Sequence, residues 1–203
     1  MKIENLEAFN IEGAIRGMRF PKKGISTSTG DIISEKDLDL AMRLWDASEK
    51  DNLAHSKFLR QIFVSMDITA PLYWWSEMDT YTIGVTKNSE STMHTLLSDV
   101  ESISLSNFEY DFPAESYIIY SIEAIKRIKS DNRLSQIAKK RAIKQILPSA
   151  WKQRRHWTGS YEMVRNICKQ REFHPLIEWD FFRKRMRALP YSKQLIFGER
   201  DGE

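Results

Sequence analysis

The first apolar positions of the chain recur at almost every second residue, which is typical of a strand. Leu6 and Ala8 alternate with polar residues, and Phe9 and Ile11 continue the run. This pattern predicts a first strand with one buried face, reaching Ile11. Residues 21–31, which are rich in Pro, Gly, Ser and Thr, predict a loop.

A helical pattern follows this loop. Ser34, followed three residues later by Asp37, resembles the start of a helix. The next apolar side chains recur at helical spacing and are Leu38, Met42 and Trp45. Together they predict a helix that continues to about Lys50, with a charged and solvated opposite face.

The apolar spacing of residues 57–71 changes from helical to strand-like. This change predicts a short helix that runs into a strand, and Pro71 ends the regular pairing. Pro71 also suits the first turn of a following helix, because a missing amide donor costs nothing there. Ser89 and Ser91 indicate a further helix start, since their hydroxyls can cap exposed amides.

From Phe112 onward the pattern is mainly helical. Four segments place apolar side chains on one face, and Pro148 ends the second of them. The residues that define these faces are Ile118, Ile122, Ile125, Leu134, Ile137, Ile143, Ile146, Met163, Ile167, Phe182, Met186 and Leu189. The tail, Pro190–Glu203, is predicted to be a surface extension. The pattern predicts one α+β domain over residues 1–203, helix-rich in its C-terminal half.

Composition narrows the class of protein. The 203 residues suffice for one domain with a sizeable core, and 31 Lys and Arg against 28 Asp and Glu leave a net charge of +3. This charge is too small to require a nucleic-acid or membrane partner, and we expect neither. A single cysteine, Cys168, excludes an internal disulfide and favours a reducing, cytoplasmic location. Acidic residues near the N-terminus and the lack of a long apolar run predict a protein that is not secreted.

Several common chemistries lack a sequence signal. The four histidines do not have the spacing of a zinc site, so we expect no metal. No Gly-rich phosphate loop is present, so side chains would have to bind any phosphate. Cys168 lies among apolar residues of a predicted helix, which favours packing over nucleophilic catalysis. A basic cluster is equally consistent with anion binding or a solvated face, and comprises Lys139, Lys140, Arg141, Lys144, Lys152, Arg154, Arg155, Arg165 and Arg171.

Residues 68–94 concentrate aromatic rings, carboxylates and hydroxyls. Flat rings beside such groups suit a nucleobase or a flavin, but large rings also dominate cores and oligomer interfaces. Composition alone therefore leaves two interpretations open. In one, the aromatic side chains line a cofactor pocket; in the other, they fill the core while the acids pair with Arg60 or the basic late segment. The aromatic residues concerned are Tyr73, Trp74, Trp75 and Tyr81.

Two separated segments resemble the family of flavin-dependent thymidylate synthases, commonly called ThyX. The first, FLRQIFVSMDITAPLYWWSEMDTY, is similar to the family's strand, Ala-Pro step and following helix, and KNSESTMH resembles its Asn-Glu-x-Ser-x-Arg-Tyr stretch. The second, IKQILPSAWKQRRHWTGSYEMVRNICKQR, resembles the family's Leu-Pro step, Thr-Gly-Asn turn and helix ending in arginine. The two segments share the family's order and cover roughly residues 55–171.

The resemblance implies a fold, a chemistry and an assembly. The fold would be a ThyX-like single domain with a central, mostly antiparallel sheet and flanking helices. The family is a homotetramer that binds FAD between subunits, takes hydride from NADPH and transfers a methylene from methylenetetrahydrofolate to dUMP. By this likeness we expect a nucleotide ligand and a homotetramer for this chain.

The resemblance also assigns residues to the nucleotide site. Ser91 falls at the motif serine near the dUMP base, and it would orient the base in catalysis rather than attack it. Arg171 falls at an arginine that meets dUMP, and Lys144 replaces another arginine there, keeping the charge but losing the bidentate fork. Glu77 replaces a glutamine, and its added carboxylate would oppose an anionic nucleotide unless a cation pairs with it.

The flavin positions depart further from the family's pattern. Ser56, Tyr81 and Ser160 stand at cofactor-binding positions, but Tyr81 lies where the family has Arg-His-Arg. Leu59 occupies a glutamate position, and Glu162 replaces an arginine. Because several charge-assisted hydrogen bonds of roughly 1 to 3 kcal/mol are lost, these changes predict weaker FAD binding.

Three functions follow from these observations. The first is a divergent thymidylate synthase that methylates dUMP or a related pyrimidine nucleotide. The second is a non-catalytic protein on the same fold that binds or sequesters a nucleotide and has lost flavin. The third is an assembly or regulatory protein whose exposed aromatic side chains make protein contacts.

Overall fold

The computed structural model describes residues 1–22, 32–50, 55–92 and 103–200. Its strands are β1 (Lys2–Phe9), β2 (Phe63–Pro71), β3 (Thr86–Ser89) and β4 (Lys152–Ser160). Its α-helices are α1 (Ile11–Arg19), α2 (Glu35–Lys50), α3 (Leu72–Met78), α4 (Glu115–Ser130), α5 (Gln136–Ile146), α6 (Tyr161–Gln170) and α7 (Ile177–Met186). Short 3-10 segments are Phe20–Lys22, Lys57–Gln61, Leu105–Asn107 and Phe112–Ala114, and Lys193–Phe197 is a π-helical turn.

The strands form a four-stranded antiparallel sheet in the order β1-β2-β4-β3. In β2, Val64, Met66, Ile68 and Ala70 are buried, while the residues between them are half-buried. One face of β2 therefore contributes to the core, as the period of two requires. The predicted α+β class with a central antiparallel sheet is confirmed. Of the described helices, none is both long and apolar enough to cross a membrane.

The chain divides into two compact units. The first comprises residues 1–2, 68–80 and 88–156, and the second comprises residues 3–67, 81–87 and 157–203. The core of the first unit is a cluster in which the Phe108 and Trp151 rings meet edge to face, 5.3 Å between centroids. Large fully buried side chains of the second unit are Trp157, Tyr161, Arg165, Trp179 and Phe182. The single domain over residues 1–203 stays a prediction.

Several predicted elements are confirmed. The helix after Ser34 is α2 and ends at Lys50. Residues 57–71 form a 3-10 segment that runs into β2, and Pro71 is the N-cap of α3. The second helix of the C-terminal half, α5, ends at Ile146, two residues before Pro148. The predicted loop at residues 21–31 and the helix start after Ser91 lie largely outside the described residues.

The first strand ends earlier than predicted. β1 stops at Phe9, and α1 begins at Ile11 after Asn10, which adopts a left-handed backbone with φ of 65°. A Cβ at Gly13 would lie 2.1 Å from the Asn10 Oδ1 atom, so glycine at this position leaves room for the Asn10 side chain against the helix. Ile11 belongs to a helical set of buried residues that continues with Ala14, Ile15 and Met18. The spacing of the apolar residues therefore changes from strand-like to helical at Ile11, within the predicted strand.

The C-terminal half is mainly helical, as predicted, but one strand was missed and one further prediction fails there. Strand β4 was not predicted because two of its buried positions, Gln153 and Gly159, lack the apolar signal of a strand. The tail is not a surface extension, since Leu195 and Ile196 are 1% and 2% exposed. Their π-helical turn packs mainly on α6 and α2.

A buried ion pair joins α1 to the start of α2 in the second unit. Arg19 donates to both carboxylate oxygens of Asp37, at 2.6 and 2.5 Å, and Ser34 donates to the same carboxylate from its amide and hydroxyl. Burial alone would raise the pKa of Asp37. The hydrogen bonds from Arg19 and Ser34 outweigh it and lower the pKa from 3.8 to about 2.

This lowered pKa predicts acid-dependent stability. The ionised carboxylate stabilises the fold above pH 3.8, and that stabilisation is lost as the pH falls through 3.8 towards 2. The shift corresponds to a loss of about 2 kcal/mol in the free energy of unfolding. Urea unfolding at pH 7 and pH 3 should show that Asp37→Asn removes this part of the pH dependence. Asp39→Asn, at an exposed position of the same helix, should retain it.

Candidate functional site

The predicted site residues are distributed over both units. The first unit carries Glu77, Ser91 and Lys144, and the second carries Ser56, Tyr81, Ser160 and Arg171. Within the second unit the structure brings Tyr81 and Arg171 into direct contact. Their predicted roles are untested, but their surroundings show what each side chain can do.

Tyr81 and Arg171 form a hydrogen-bonded pair. The Arg171 Nε atom donates to the Tyr81 hydroxyl at 3.0 Å, and that hydroxyl donates to Oε1 of Gln170 at 3.0 Å. Tyr81 is 8% exposed, so its hydroxyl is used inside the protein. Tyr81 thereby fixes the guanidinium of Arg171 from its Nε edge.

Two aromatic rings support the same guanidinium. The Cζ atom of Arg171 lies 4.7 Å from the ring centroid of Trp179 and 5.6 Å from that of Tyr81. Trp179 is fully buried and meets Tyr81 edge to face. Arg171 itself is half-buried. A cation oriented in this way is suited to an anionic group, because its planar fork is pre-organised.

Ser56 belongs to a buried cluster around Arg165. The Arg165 Nη1 atom donates to the hydroxyls of Ser48 and Ser56 at 3.1 and 3.3 Å, and its guanidinium lies 4.1 Å from the ring centroid of Trp45. Arg165 and Lys169 both donate to the carboxylate of Glu49. Burial would raise the pKa of Glu49, but these hydrogen bonds lower it. Arg165 is 1% exposed, so this member of the basic cluster is an internal cation.

Ser160 has a structural task at the start of α6. Its hydroxyl accepts a hydrogen bond from the amide of Met163 at 3.3 Å, which satisfies one of the unpaired amides of the first turn. Arg60 pairs with Glu162 at 2.7 Å, so the acid that replaces a family arginine has a cation of its own.

The described side chains do not fit a flavin. Ser56 is fully buried against Arg165, the Ser160 hydroxyl caps a helix, and the Tyr81 hydroxyl is bonded to Gln170 and Arg171. Leu59, at the family's glutamate position, is also fully buried. No mechanistic step is therefore assigned to FAD.

The tryptophans of α3 belong to the core. Trp74 and Trp75 are fully buried, and their rings meet edge to face at 5.0 Å between centroids. The interpretation that they provide ring surfaces in a cofactor pocket is wrong, because no face of either ring is exposed. For the same reason, neither tryptophan is available for the protein contacts of an assembly protein.

Trp75 instead supports a polar network within the first unit. Arg155 stacks on its ring at 4.3 Å and donates to both carboxylate oxygens of Asp79 at 2.9 Å. This pair confirms the alternative that an acid of the aromatic segment binds the basic late segment. The Arg155 Nε atom donates to Gln153 at 2.9 Å, and Gln153 donates to the carbonyl of Glu90 at 2.7 Å.

The predicted nucleotide residues of the first unit are accessible. Glu77 is half-buried on α3, Ser91 is exposed after β3, and Lys144 is exposed on α5. Lys139 behaves differently from the rest of the basic cluster, because it is 7% exposed and donates to the carbonyl of Lys129 at 2.6 Å. Glu77, Ser91 and Lys144 stay predicted substrate residues.

Cys168 packs inside the second unit, as predicted. It is 2% exposed, and burial raises the pKa of its thiol to about 12 even though Arg183 and Arg187 oppose the change. A thiol with this pKa is not ionised near neutral pH and is a poor nucleophile. Within the described residues, no three of His, Cys, Asp and Glu converge to hold a metal ion.

The sequence reasoning missed Trp179, Gln170 and Gln153 as parts of these arrangements. Gln170 ends the helix before Arg171, and Trp179 lies on the helix that follows it. Only the structure shows that both side chains contact Tyr81. Gln153 gives no sequence signal, because a buried glutamine on a strand resembles a surface residue. The described lining of a cavity of about 710 Å³ between α1, α2 and residues 57–61 includes none of the seven predicted site residues.

Loss of the Tyr81 hydroxyl should destabilise the second unit. Tyr81→Phe leaves the Arg171 Nε donor without this acceptor, and we expect the free energy of unfolding to fall by about 2 kcal/mol. Tyr120→Phe removes a hydroxyl from a side chain that is 70% exposed, and it should change stability by less than about 0.5 kcal/mol. Urea unfolding measures both. Equal stability of the two variants would contradict the buried role of the hydroxyl.

No protein-family model and no curated protein sequence matches the chain. Two structures of the flavin-dependent thymidylate synthase ThyX from Helicobacter pylori with FAD and dUMP are similar, at TM-scores of 0.71 and 0.68. Each of the two is 17% identical in sequence to this chain, and each match covers 97% of this chain. The matches cover 98% of the first ThyX chain and 97% of the second. The UMP/dUMP methylase PolB from Streptomyces cacaoi, bound with 5-Br dUMP, has a TM-score of 0.71 and 12% identity over 98% of this chain and 95% of that one. The chain has a ThyX-like fold.

Proposed function

We propose that this protein binds a pyrimidine nucleotide, dUMP or a close relative. One observation carries the proposal: the fold is similar, over nearly the whole chain, to three structures that each hold a pyrimidine nucleotide. The likeness extends to two kinds of enzyme, a thymidylate synthase and a UMP/dUMP methylase. The ligand class, rather than one reaction, is what these neighbours share.

Arg171 is the residue whose geometry supports the proposal best. Its guanidinium is held by Tyr81 and Trp179, so little side-chain entropy is lost when it binds an anion. In the proposed complex Arg171 and Lys144 bind the phosphate, and Ser91 orients the base. Glu77 contacts the same nucleotide and favours its uncharged groups, because a carboxylate repels phosphate.

The proposed functional form is a homotetramer. The resemblance that assigns these residues also places the family's sites between subunits. A homotetramer would let residues from different copies of the chain contribute to one nucleotide site. Light scattering of the purified protein, with and without dUMP, measures this state directly.

Replacement of Arg171 should weaken nucleotide binding selectively. Calorimetry with dUMP should show an affinity about tenfold to a hundredfold lower for Arg171→Ala, because a charge-assisted hydrogen bond to phosphate is lost. Arg185→Ala, which removes an exposed arginine of α7, should bind as the unchanged protein does. If the unchanged protein binds none of dUMP, UMP and dCMP, the proposed function is wrong.

A second candidate function is methylation of the bound nucleotide. It is favoured by the names of the similar proteins, which are a thymidylate synthase and a methylase. This reaction would draw on reduced flavin, NADPH and methylenetetrahydrofolate. The described side chains do not fit a flavin, so we place binding ahead of methylation.

Absorbance and isotope release separate the two candidates. We expect the purified protein to be colourless, to lose added FAD on desalting, and to release no tritium from [5-³H]dUMP with NADPH and methylenetetrahydrofolate. Helicobacter pylori ThyX serves as the positive control. Retained flavin bands together with dUMP-dependent tritium release would establish the methylation reaction instead.

A further inference from the structure

Gln153 is a buried polar side chain, and both the oxygen and the nitrogen of its amide group make hydrogen bonds. It is 8% exposed and lies on β4 of the first unit. Its Oε1 atom accepts from Nε of Arg155 at 2.9 Å, and its Nε2 atom donates to the carbonyl of Glu90 at 2.7 Å. The side chain thus bridges a strand residue to the backbone of the segment that carries Ser91.

Arg155 is held at its other side by α3. Its guanidinium lies over the ring of Trp75, and its Nη1 atom donates to the carboxylate of Asp79. Trp75 is also bonded to this strand, because its indole Nε1 atom donates to the carbonyl of Gln153 at 2.9 Å. The orientation of Arg155, and therefore that of Gln153, depends on the C-terminal end of α3.

Glu90 is bound on both sides of its peptide backbone. Its amide donates to the carbonyl of Arg154 at 2.9 Å, and its carbonyl accepts from Gln153. The next residue is Ser91, which is exposed. At the other end of the network, Glu77 lies two residues before Asp79 on α3. The two ends of one hydrogen-bonded network are thus adjacent to two predicted nucleotide residues.

We propose that Gln153 and Arg155 are positioning residues that hold the Ser91 segment relative to α3, so that Ser91 and Glu77 are pre-organised for one ligand. The inference rests on the proposed function for its ligand, a pyrimidine nucleotide. Pre-organisation raises affinity because less conformational entropy is lost on binding. Neither Gln153 nor Arg155 contacts the ligand in this proposal.

Gln153→Glu separates the two halves of the network. At pH 7.5 the glutamate still accepts from Arg155, but it cannot donate to the Glu90 carbonyl. We expect amides of residues 90–92 to exchange hydrogen about tenfold faster, and the affinity for dUMP to fall about tenfold, under conditions where the variant is fully folded, whatever shift of the urea midpoint the buried carboxylate causes. A role limited to stability would shift the midpoint without changing this exchange or the affinity.

Controls keep the proposal testable. Gln136→Glu makes the same chemical change at an exposed position of α5, at the opposite end of the helix from Lys144, and should alter none of the three measurements. If Gln153→Glu does not fold, Arg155→Lys provides a second variant, because lysine cannot supply both the Nε and the Nη1 donors. Local exchange should again rise at residues 90–92.

The outcomes distinguish this inference from the function on which it rests. If the unchanged protein binds no pyrimidine nucleotide, the proposed function fails, whatever the exchange shows. If it binds dUMP but Gln153→Glu binds equally well with unchanged exchange at residues 90–92, the positioning role is overturned. Faster exchange with unchanged affinity overturns it as well, because Ser91 would then not need to be held.

Discussion

A buried arginine must be neutralised within the protein, and this constraint organises the second unit. Arg19 ties α1 to the start of α2, and Arg165 ties α6 to the end of α2 through Ser48 and Glu49. In the first unit a half-buried arginine, Arg155, makes a similar link between β4 and the end of α3 through the exposed Asp79. Removal of one partner would leave a desolvated charge, which costs about 3 to 5 kcal/mol in buried pairs. These ion pairs therefore limit how the helices can pack.

The same constraint decides which cations can serve a ligand. Arg165 and Lys139 are buried and bonded inside the chain, so the basic cluster of the late segment is not one continuous anion surface. Arg171 differs because it is half-buried and its guanidinium rests on the rings of Trp179 and Tyr81. Aromatic support orients the guanidinium, and a fixed orientation favours the proposed contact with phosphate.

The sequence predicted elements whose apolar residues recur with one period. Helix α2 and strand β2 are of this kind, since Met42 and Met66 belong to regular buried sets. It failed where buried positions are polar or glycine, as at Gln153 and Gly159 of β4, and where the period changes within a few residues, as at Ile11. The site was predicted less completely than the fold. Contacts such as Tyr81 with Arg171 join residues 90 positions apart, and neither composition nor spacing encodes them.

In a ThyX-like fold the architecture and the cofactor chemistry depend on different sets of residues. The fold depends on buried sets that many sequences can supply, so it persists at 12% and 17% identity. Cofactor chemistry depends on a few charged groups, and here Tyr81, Ser56 and Ser160 have become internal partners of Arg171, Arg165 and α6. A hydroxyl that satisfies a buried arginine or caps a helix cannot bind a cofactor without costing the fold about 1 to 3 kcal/mol. Ser91 and Lys144, which are proposed to meet the nucleotide, are exposed. The proposed nucleotide binding is therefore compatible with the changed flavin positions.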